Sequence, residues 1–233
     1  KRCMRKQSLL FLVLLTICFC GISGTQKAYA THAAGGELLY EWVRDSTYRI
    51  IFKFYRDCGS AQFPNTATAP TSVTVCYYNE CSSGTSSVNL PRVPGPNGLE
   101  VSPGCPGFPT RCAFGQLPGY QEWIYAAEVT LPSRCHTWRF YTGVNARNQS
   151  INNLVNPGSQ TLWVEATLNN EVAQRNSSPY FSVKPVPYVC MGMPYTYNNG
   201  AVDVNTDSLH FESVQPLTGS TACSGNPTGG TPI

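Results

Sequence analysis

The sequence predicts an all-β protein, an immunoglobulin-like antiparallel β-sandwich with an irregular, disulfide-stapled insertion, followed by the start of a second β-domain. Three observations predict this class. Apolar residues recur at every second position through most of the chain, no stretch has the 3.6-residue period of an amphipathic helix, and eight cysteines follow a leader typical of exported proteins. Short strands separated by Gly, Pro, Asn and Ser clusters are typical of such sandwiches.

The first predicted element is a β-hairpin with one apolar face. Alternating apolar residues run to Trp42, the polar turn is Asp45-Ser46-Thr47, and the returning strand directs Tyr48, Ile50, Phe52 and Phe54 to one side. Further strands are predicted at 72–78, 122–131, 137–144, 161–168 and 180–184. In the second of these, one face carries Trp123, Tyr125, Ala127, Val129 and Leu131.

Residues 1–30 have the three parts of a secretory signal peptide. A basic start precedes an apolar run from Leu9 to Cys20, and Ala28-Tyr29-Ala30 supplies the small residues that signal peptidase needs, so we expect a mature chain beginning at Thr31. The apolar run is shorter than the roughly 20 residues that span a bilayer, and no later segment reaches that length. We therefore expect a secreted or cell-surface protein without a transmembrane span.

The basic charge of the chain belongs to this leader. Five of the 16 basic residues precede residue 31 and all 13 acidic residues follow it, which leaves 11 basic against 13 acidic side chains and a formal charge of −2. A weakly acidic chain gives no argument for a nucleic-acid partner.

Beyond the leader we predict three regions. Residues 31–185 form the sandwich, with a proline-rich irregular excursion at 81–119. Residues 186–224 are predicted as a partial second β-domain, whose first strands would be Tyr195–Tyr197 and Leu209–Phe211. Residues 225–233 have the composition of a linker.

The eight cysteines beyond the leader are predicted to form four disulfides. Short loops close most readily, which favours Cys76 with Cys81 and Cys105 with Cys112. Cys58 with Cys135 and Cys190 with Cys223 would follow by elimination, although eight cysteines permit 105 pairings. Zinc is the weaker interpretation, because no C-x-x-C pair occurs and the three histidines form no spaced ligand set.

Calcium is the one cofactor that the sequence suggests. Asp203, Asn205 and Asp207 place oxygen-bearing side chains at alternate positions, and Glu212 could add a ligand from the next strand. Ser208 stands where an EF-hand loop needs glycine, which excludes that motif. The alternative is that these residues form Asx turns in a loop between strands.

The residues offer two other candidate functions, sugar binding and catalysis. Four tryptophans (Trp42, Trp123, Trp138 and Trp163) could form a stacking platform for sugars, although each lies in a strand pattern where core packing is the commoner explanation. Glu122 and Glu128 share a strand parity and could face one cleft, and His136 follows Cys135. No G-x-S-x-G, H-E-x-x-H or phosphate-binding loop occurs, so we expect no enzyme.

Several segments occur in an order that resembles a known family. They are Thr31-His-Ala-Ala-Gly-Gly-Glu-Leu-Leu-Tyr40, Tyr55-Arg-Asp-Cys58, Leu117-Pro-Gly-Tyr-Gln-Glu-Trp123, Ala146-Arg-Asn148, Val164-Glu-Ala-Thr-Leu-Asn-Asn170, Asn176-Ser-Ser-Pro179, Lys184-Pro-Val-Pro-Tyr-Val-Cys190 and Asn199-Gly-Ala-Val-Asp203. Together they resemble the N-terminal region of large secreted surface proteins of Bacteroidetes, of the gliding-motility-associated or PKD-repeat type exported by type IX secretion.

The resemblance implies immunoglobulin-like domains in series, with a cadherin- or PKD-like domain following the first. It also implies a structural and adhesive role at the cell surface, as part of a gliding or adhesion fibre that contacts an extracellular polymer or protein. The alternative function is a carbohydrate-binding module, which needs exposed coplanar Trp and Tyr side chains. The chain departs from the family where relatives often carry cysteines before the Arg-Asn pair, and it contains no C-terminal sorting domain.

Overall fold

The computed structural model describes residues 33–59, 69–95, 97–102, 107–149, 151–184, 191–194, 196, 198, 200–220, 223 and 230–233. The predicted signal peptide at 1–30, Cys105, Cys190, Tyr195 and Tyr197 lie outside these residues. The described residues form twelve strands: β1 Ala33–Arg44, β2 Thr47–Asp57, β3 Ser72–Asn79, β4 Gly84–Pro91, β5 Leu99–Glu100, β6 Tyr120–Thr130, β7 Trp138–Val144, β8 Leu162–Leu168, β9 Tyr180–Phe181, β10 Ala201–Val202, β11 Leu217–Thr218 and β12 Thr231–Pro232. Two single 3₁₀ turns are at Arg111–Ala113 and Pro157–Ser159.

Eight of these strands form two four-stranded antiparallel sheets. The first sheet has the order β1-β2-β6-β5 and the second has the order β4-β3-β7-β8. The sheets face each other with β1 beside β8 and β4 beside β6, so the chain forms an all-β sandwich. The short pairs β9–β10 and β11–β12 lie outside the two sheets.

The core is built by the alternation that the sequence predicts. Tyr48, Ile50, Phe52 and Phe54 of β2 are fully buried between the sheets, and the neighbouring β6 contributes Tyr125 and Val129. The second sheet contributes residues from every strand, among them Val75, Leu90, Phe140 and Leu168. Because a strand turns successive side chains to opposite faces, the intervening residues face outward and are available for other contacts.

The predicted hairpin and the predicted strands at 72–78, 122–131, 137–144 and 161–168 are confirmed as β1–β2, β3, β6, β7 and β8. The excursion at 81–119 is only partly irregular, because it contains β4 and β5. β4 pairs with β3 over its whole length, from Pro91 opposite Ser72 to Gly84 opposite Asn79. Its first four residues are exposed, so no alternating apolar pattern marks it in the sequence.

The region predicted to open a second β-domain contacts the sandwich in its described parts. Leu209–Phe211, predicted as a strand, is not one, and the strands of this region are instead β10 and β11. Both are two residues long, and residues 209–211 pair with no strand that the structure describes. Among the described residues, no helix has the length and apolar character needed to cross a membrane.

Candidate functional site

Three of the segments quoted for the family resemblance, those that contain Ala33, Asp57 and Asn148, contact one another at one end of the sandwich. Asp57 closes β2, and its carboxylate accepts hydrogen bonds from the Gly59 amide at 3.0 Å and from Asn148 Nδ2 at 2.5 Å. Both side chains are buried, Asp57 at 4% exposure and Asn148 at 7%. The Asn148 amide also donates to the Ala33 carbonyl at 3.1 Å, and Ala33 donates to Ala146 at 2.9 Å. The buried pair of Asp57 and Asn148 therefore ties the start of β1 to the end of β2.

The described residues between 177 and 223 cross the open edge formed by β1 and β8, and we call them the C-terminal belt. On β1, the amides of Tyr40 and Trp42 donate to the hydroxyls of Ser178 and Ser177, each at 3.0 Å. Ser178 returns an amide hydrogen bond of 2.8 Å to the Tyr40 carbonyl. These bonds occupy backbone groups that an edge strand otherwise leaves unpaired.

At its far end the belt lies on the outer face of the second sheet. Arg147 donates from Nη2 to the Leu217 carbonyl at 2.9 Å, and the Thr161 amide donates to the Thr218 hydroxyl at 3.2 Å. Burial lowers the pKa of the Arg147 guanidinium below its usual value. Cys223 then bonds covalently to Cys76 of β3, so the belt is closed across the sheet.

A pair of aromatic rings lies beneath this end of the belt. Tyr141 and Trp163 stack at 5.0 Å between ring centroids on the outer face of the second sheet. Gly219 and Gly230 press against the other face of Trp163, where an added Cβ at Gly219 would lie 2.3 Å from the indole ring. Only a residue without a side chain permits this approach, which explains why Trp163 is 7% exposed despite facing outward.

At its start the belt is held to the first sheet by a cluster of charges. The Tyr55 hydroxyl donates to Glu37 Oε1 at 2.6 Å and lies 3.4 Å from Glu122 Oε1. Lys53 pairs with Glu37 at 3.2 Å, and Lys184 of the belt pairs with Glu122. Burial, with Glu37 beside the phenol, raises the pKa of Tyr55 far above its usual value. The Tyr55 hydroxyl therefore stays protonated and donates to Glu37. Each lysine of the cluster is paired with a glutamate.

Under the belt, a groove of about 730 Å³ runs between β1 and β8. Its lining includes Leu38, Tyr40, Val164, Ala166, Phe181 and Phe211. Phe211 is 55% exposed on the rim. β8 is an edge strand, and among the described residues it pairs only with β7. The lining also includes Glu37, Arg147, Glu165 and His210, so the groove beside the β8 edge suits an extended segment with both apolar and polar groups.

The disulfides of the described residues differ from the predicted pairings. Cys58 bonds to Cys112, Cys76 to Cys223 and Cys81 to Cys135. The predictions of Cys76 with Cys81 and Cys58 with Cys135 are wrong, as are those that paired Cys112 with Cys105 and Cys223 with Cys190. Cys105 and Cys190 themselves lie outside the described residues.

Strand geometry explains why the short loop between Cys76 and Cys81 does not close. β3 continues for three residues after Cys76, about 10 Å of extended chain, which exceeds the Cα separation that a disulfide spans. Strand order brings the distant partners together instead. Because Asn79 of β3 pairs with Trp138 of β7, the turn after β3 meets the segment before β7, where Cys81 and Cys135 have Cα atoms 5.9 Å apart.

The residues predicted to bind calcium form an Asx turn. Asp203 Oδ1 accepts hydrogen bonds from the Asn205 amide at 2.7 Å and the Asp207 amide at 3.1 Å. Asn205 Oδ1 accepts from the Ser177 amide at 2.9 Å and so ties the turn to the belt's start. Two of the expected ligand oxygens are thus engaged by backbone amides, and this arrangement does not assemble the six to eight oxygens that calcium prefers. Calcium binding stays a prediction.

One convergent group of potential metal ligands is found among the described residues. It consists of Cys81, Cys135 and His136, and it does not include Asp203, Asp207 or Glu212. Since Cys81 and Cys135 are joined to each other, their sulfurs are not thiolates, and Cys135 is not a free nucleophile beside His136.

The two glutamates considered as a catalytic pair are far apart, and the tryptophans considered for sugar binding are buried or covered. Glu122 and Glu128 lie six residues apart on β6, about 20 Å, whereas the paired carboxyl groups of glycosidases lie about 5 to 9.5 Å apart. Glu128 pairs with Arg44 instead. Trp138 is buried in the core, and Arg175 and Arg92 lie over the rings of Trp42 and Trp123. The tryptophans therefore present no open stacking platform.

Sequence reasoning missed the belt contacts and the Tyr55 cluster. The alternation of β2 does place Tyr55 and Lys53 on the face opposite Phe52 and Phe54, so an outward-facing aromatic beside a lysine was the available signal. No sequence pattern marks Ser177 and Ser178 as partners of β1, because their contacts with the strand are hydrogen bonds to its backbone.

The fold and these contacts define a disulfide-bonded, all-β sandwich whose open edge is crossed by its own C-terminal segment. No protein-family model, curated protein or solved structure matches the chain.

Proposed function

We propose that the chain is an exported structural and adhesive module of the cell surface, acting as part of a fibre that contacts an extracellular polymer or protein. The observation that carries the proposal is the set of three disulfides among the described residues, each of which joins cysteines 54 or 147 residues apart. Disulfides persist in oxidising compartments outside the cytosol, and they limit how far a chain can open under stress.

The cover over the sandwich edge supports the same role. Long edge strands promote association between chains, and the serines of the belt occupy part of the β1 edge. A module repeated along a fibre benefits from such cover, because it suppresses pairing with neighbouring modules. The groove next to β8 leaves one edge accessible to a partner.

The carbohydrate-binding alternative has weaker support. It requires exposed and coplanar aromatic rings, whereas Trp163 is stacked between Tyr141 and glycine backbone. Trp42 and Trp123 are overlaid by arginine side chains.

The proposal is tested in the organism that encodes the chain. Cells lacking the gene are complemented with the parent or with Val172→Ala, a control at a side chain that is 85% exposed. We expect a membrane-impermeant amine-reactive label to reach the protein on intact cells, and gene deletion to lower attachment to surfaces under flow. Labelling only after lysis, or unchanged attachment in the deletion strain, would contradict the proposal.

A further inference from the structure

The Cys76–Cys223 disulfide joins the middle of the sandwich to the end of the belt. We propose that it is a load bypass: a pull on the two ends of the mature chain passes through this bond and leaves the residues between Cys76 and Cys223 unextended. The inference adds a load path to the proposed structural function, although the path itself is a property of the covalent connectivity.

The covalent route follows from the three bonds. From Ala33 the chain runs to Cys76, crosses the disulfide to Cys223 and continues to Ile233. The bond encloses a segment with a sequence separation of 147. The Cys81–Cys135 bond lies wholly inside this segment, and the Cys58–Cys112 bond has one end inside it, so neither shortens the route. One disulfide therefore determines which part of the fold bears load.

The part that bears load includes a strand that is paired on both sides. It contains β1, β2 and the first half of β3, and β2 pairs with β1 on one side and with β6 over eleven residues on the other. The start of β1 is held by the Ala33 bonds to Ala146 and Asn148. The belt lies inside the enclosed segment, and its far end is attached by hydrogen bonds from Arg147 and Thr161. An applied force therefore passes through β2, the central strand that pairs with β1 and β6, and does not pass through the belt.

The geometry sets the extension to be measured. A fully extended chain spans about 3.3 to 3.6 Å per residue, so the route from Ala33 to Cys76 reaches about 150 Å and the part after Cys223 adds about 35 Å. The enclosed segment would add about 500 Å if the bond were open. The two cases are readily resolved in a single-molecule pulling experiment.

The experiment stretches the exported chain between thiol-free peptide tags fused to both of its ends. The oxidised parent is expected to reach a full extension of about 190 Å, and the same molecules treated with a phosphine reductant about 700 Å. Cys76→Ser/Cys223→Ser should exceed the oxidised parent by as much as about 300 Å, because the remaining bonds then set the limit. The matched control, Cys81→Ser/Cys135→Ser, should equal the oxidised parent.

Because disulfide pairing depends on folding, peptide mapping first verifies that each variant keeps its remaining native bonds, and the final extension then reports the covalent connectivity. An oxidised parent that reaches about 700 Å, or equal extension of the parent and the Cys76→Ser/Cys223→Ser variant, would overturn the inference. Failure of the attachment assay with the expected extensions would instead reject the adhesive function and leave the bypass standing.

Discussion

The buried contact between Asp57 and Asn148 gives the sharpest test of the fold. Asn148→Ala removes a hydrogen bond to a buried carboxylate and should lower the free energy of unfolding by about 2 kcal/mol. Asn148→Asp should cost more, about 3 kcal/mol or above, because two carboxylates would face each other where the amide and carboxylate now lie 2.5 Å apart.

The reciprocal exchange distinguishes a specific pair from a merely sensitive position. In Asp57→Asn/Asn148→Asp, the new amide at position 57 can donate to the new carboxylate and still accept from the Gly59 amide. The double variant should therefore recover to within about 1 kcal/mol of the parent, a strongly non-additive result. Urea unfolding at pH 7, followed by tryptophan fluorescence, measures the parent, the single variants Asn148→Ala, Asn148→Asp and Asp57→Asn, and the double variant. Additive losses, or equal losses for Asn148→Ala and Asn148→Asp, would refute the reasoning.

Three further predictions concern the belt and its surroundings. Gly219→Ala should lower stability by about 1 to 3 kcal/mol, because its Cβ would overlap the Trp163 ring; Gly84→Ala, whose nearest contact is an ordinary 3.5 Å, is the control in the same urea assay. Burial raises the pKa of Tyr40 to about 12, so its contribution to stability is complete below the unfolded value near 10 and is lost as pH rises through 12. Urea unfolding from pH 9 to 12 should show a shallower decline for Tyr40→Phe. Calcium at a concentration equal to a millimolar Kd should stabilise the parent by about 0.4 kcal/mol and Asp203→Ala not at all, as measured by calorimetry.

Each of these three predictions has an outcome that would contradict it. Equal stability of Gly219→Ala and Gly84→Ala would mean that the belt does not press on Trp163. Parallel pH profiles for the parent and Tyr40→Phe would place the alkaline loss elsewhere. An unchanged melting temperature at tens of millimolar calcium would identify the turn at Asp203 as an Asx turn alone.

Much of the sandwich could be predicted because its strands have one buried face. The period of two in β2 and β6 follows directly from burial of alternate side chains between two sheets, and it is visible without knowing the partner strand. β4 lacked that signal. Its residues are mostly exposed at the sheet edge, and its strand conformation comes from pairing with β3 rather than from its own composition.

The candidate site was less predictable, because it depends on contacts between distant segments. Loop length favoured local disulfides, but the extended path of β3 separates Cys76 from Cys81, and strand order selects their partners. The closeness of Gly219 to Trp163 depends on the path of the whole belt. The Asp203 segment was recognised in advance, and there the Asx turn was one of the two alternatives.

Disulfide mapping of the protein tests the central claim most directly. Proteolysis without reduction, at a pH that suppresses exchange, followed by mass spectrometry, should yield linked peptides that join Cys76 with Cys223, Cys81 with Cys135 and Cys58 with Cys112. Linked peptides that join Cys76 with Cys81, or a free thiol at Cys223, would contradict a belt closed across the second sheet.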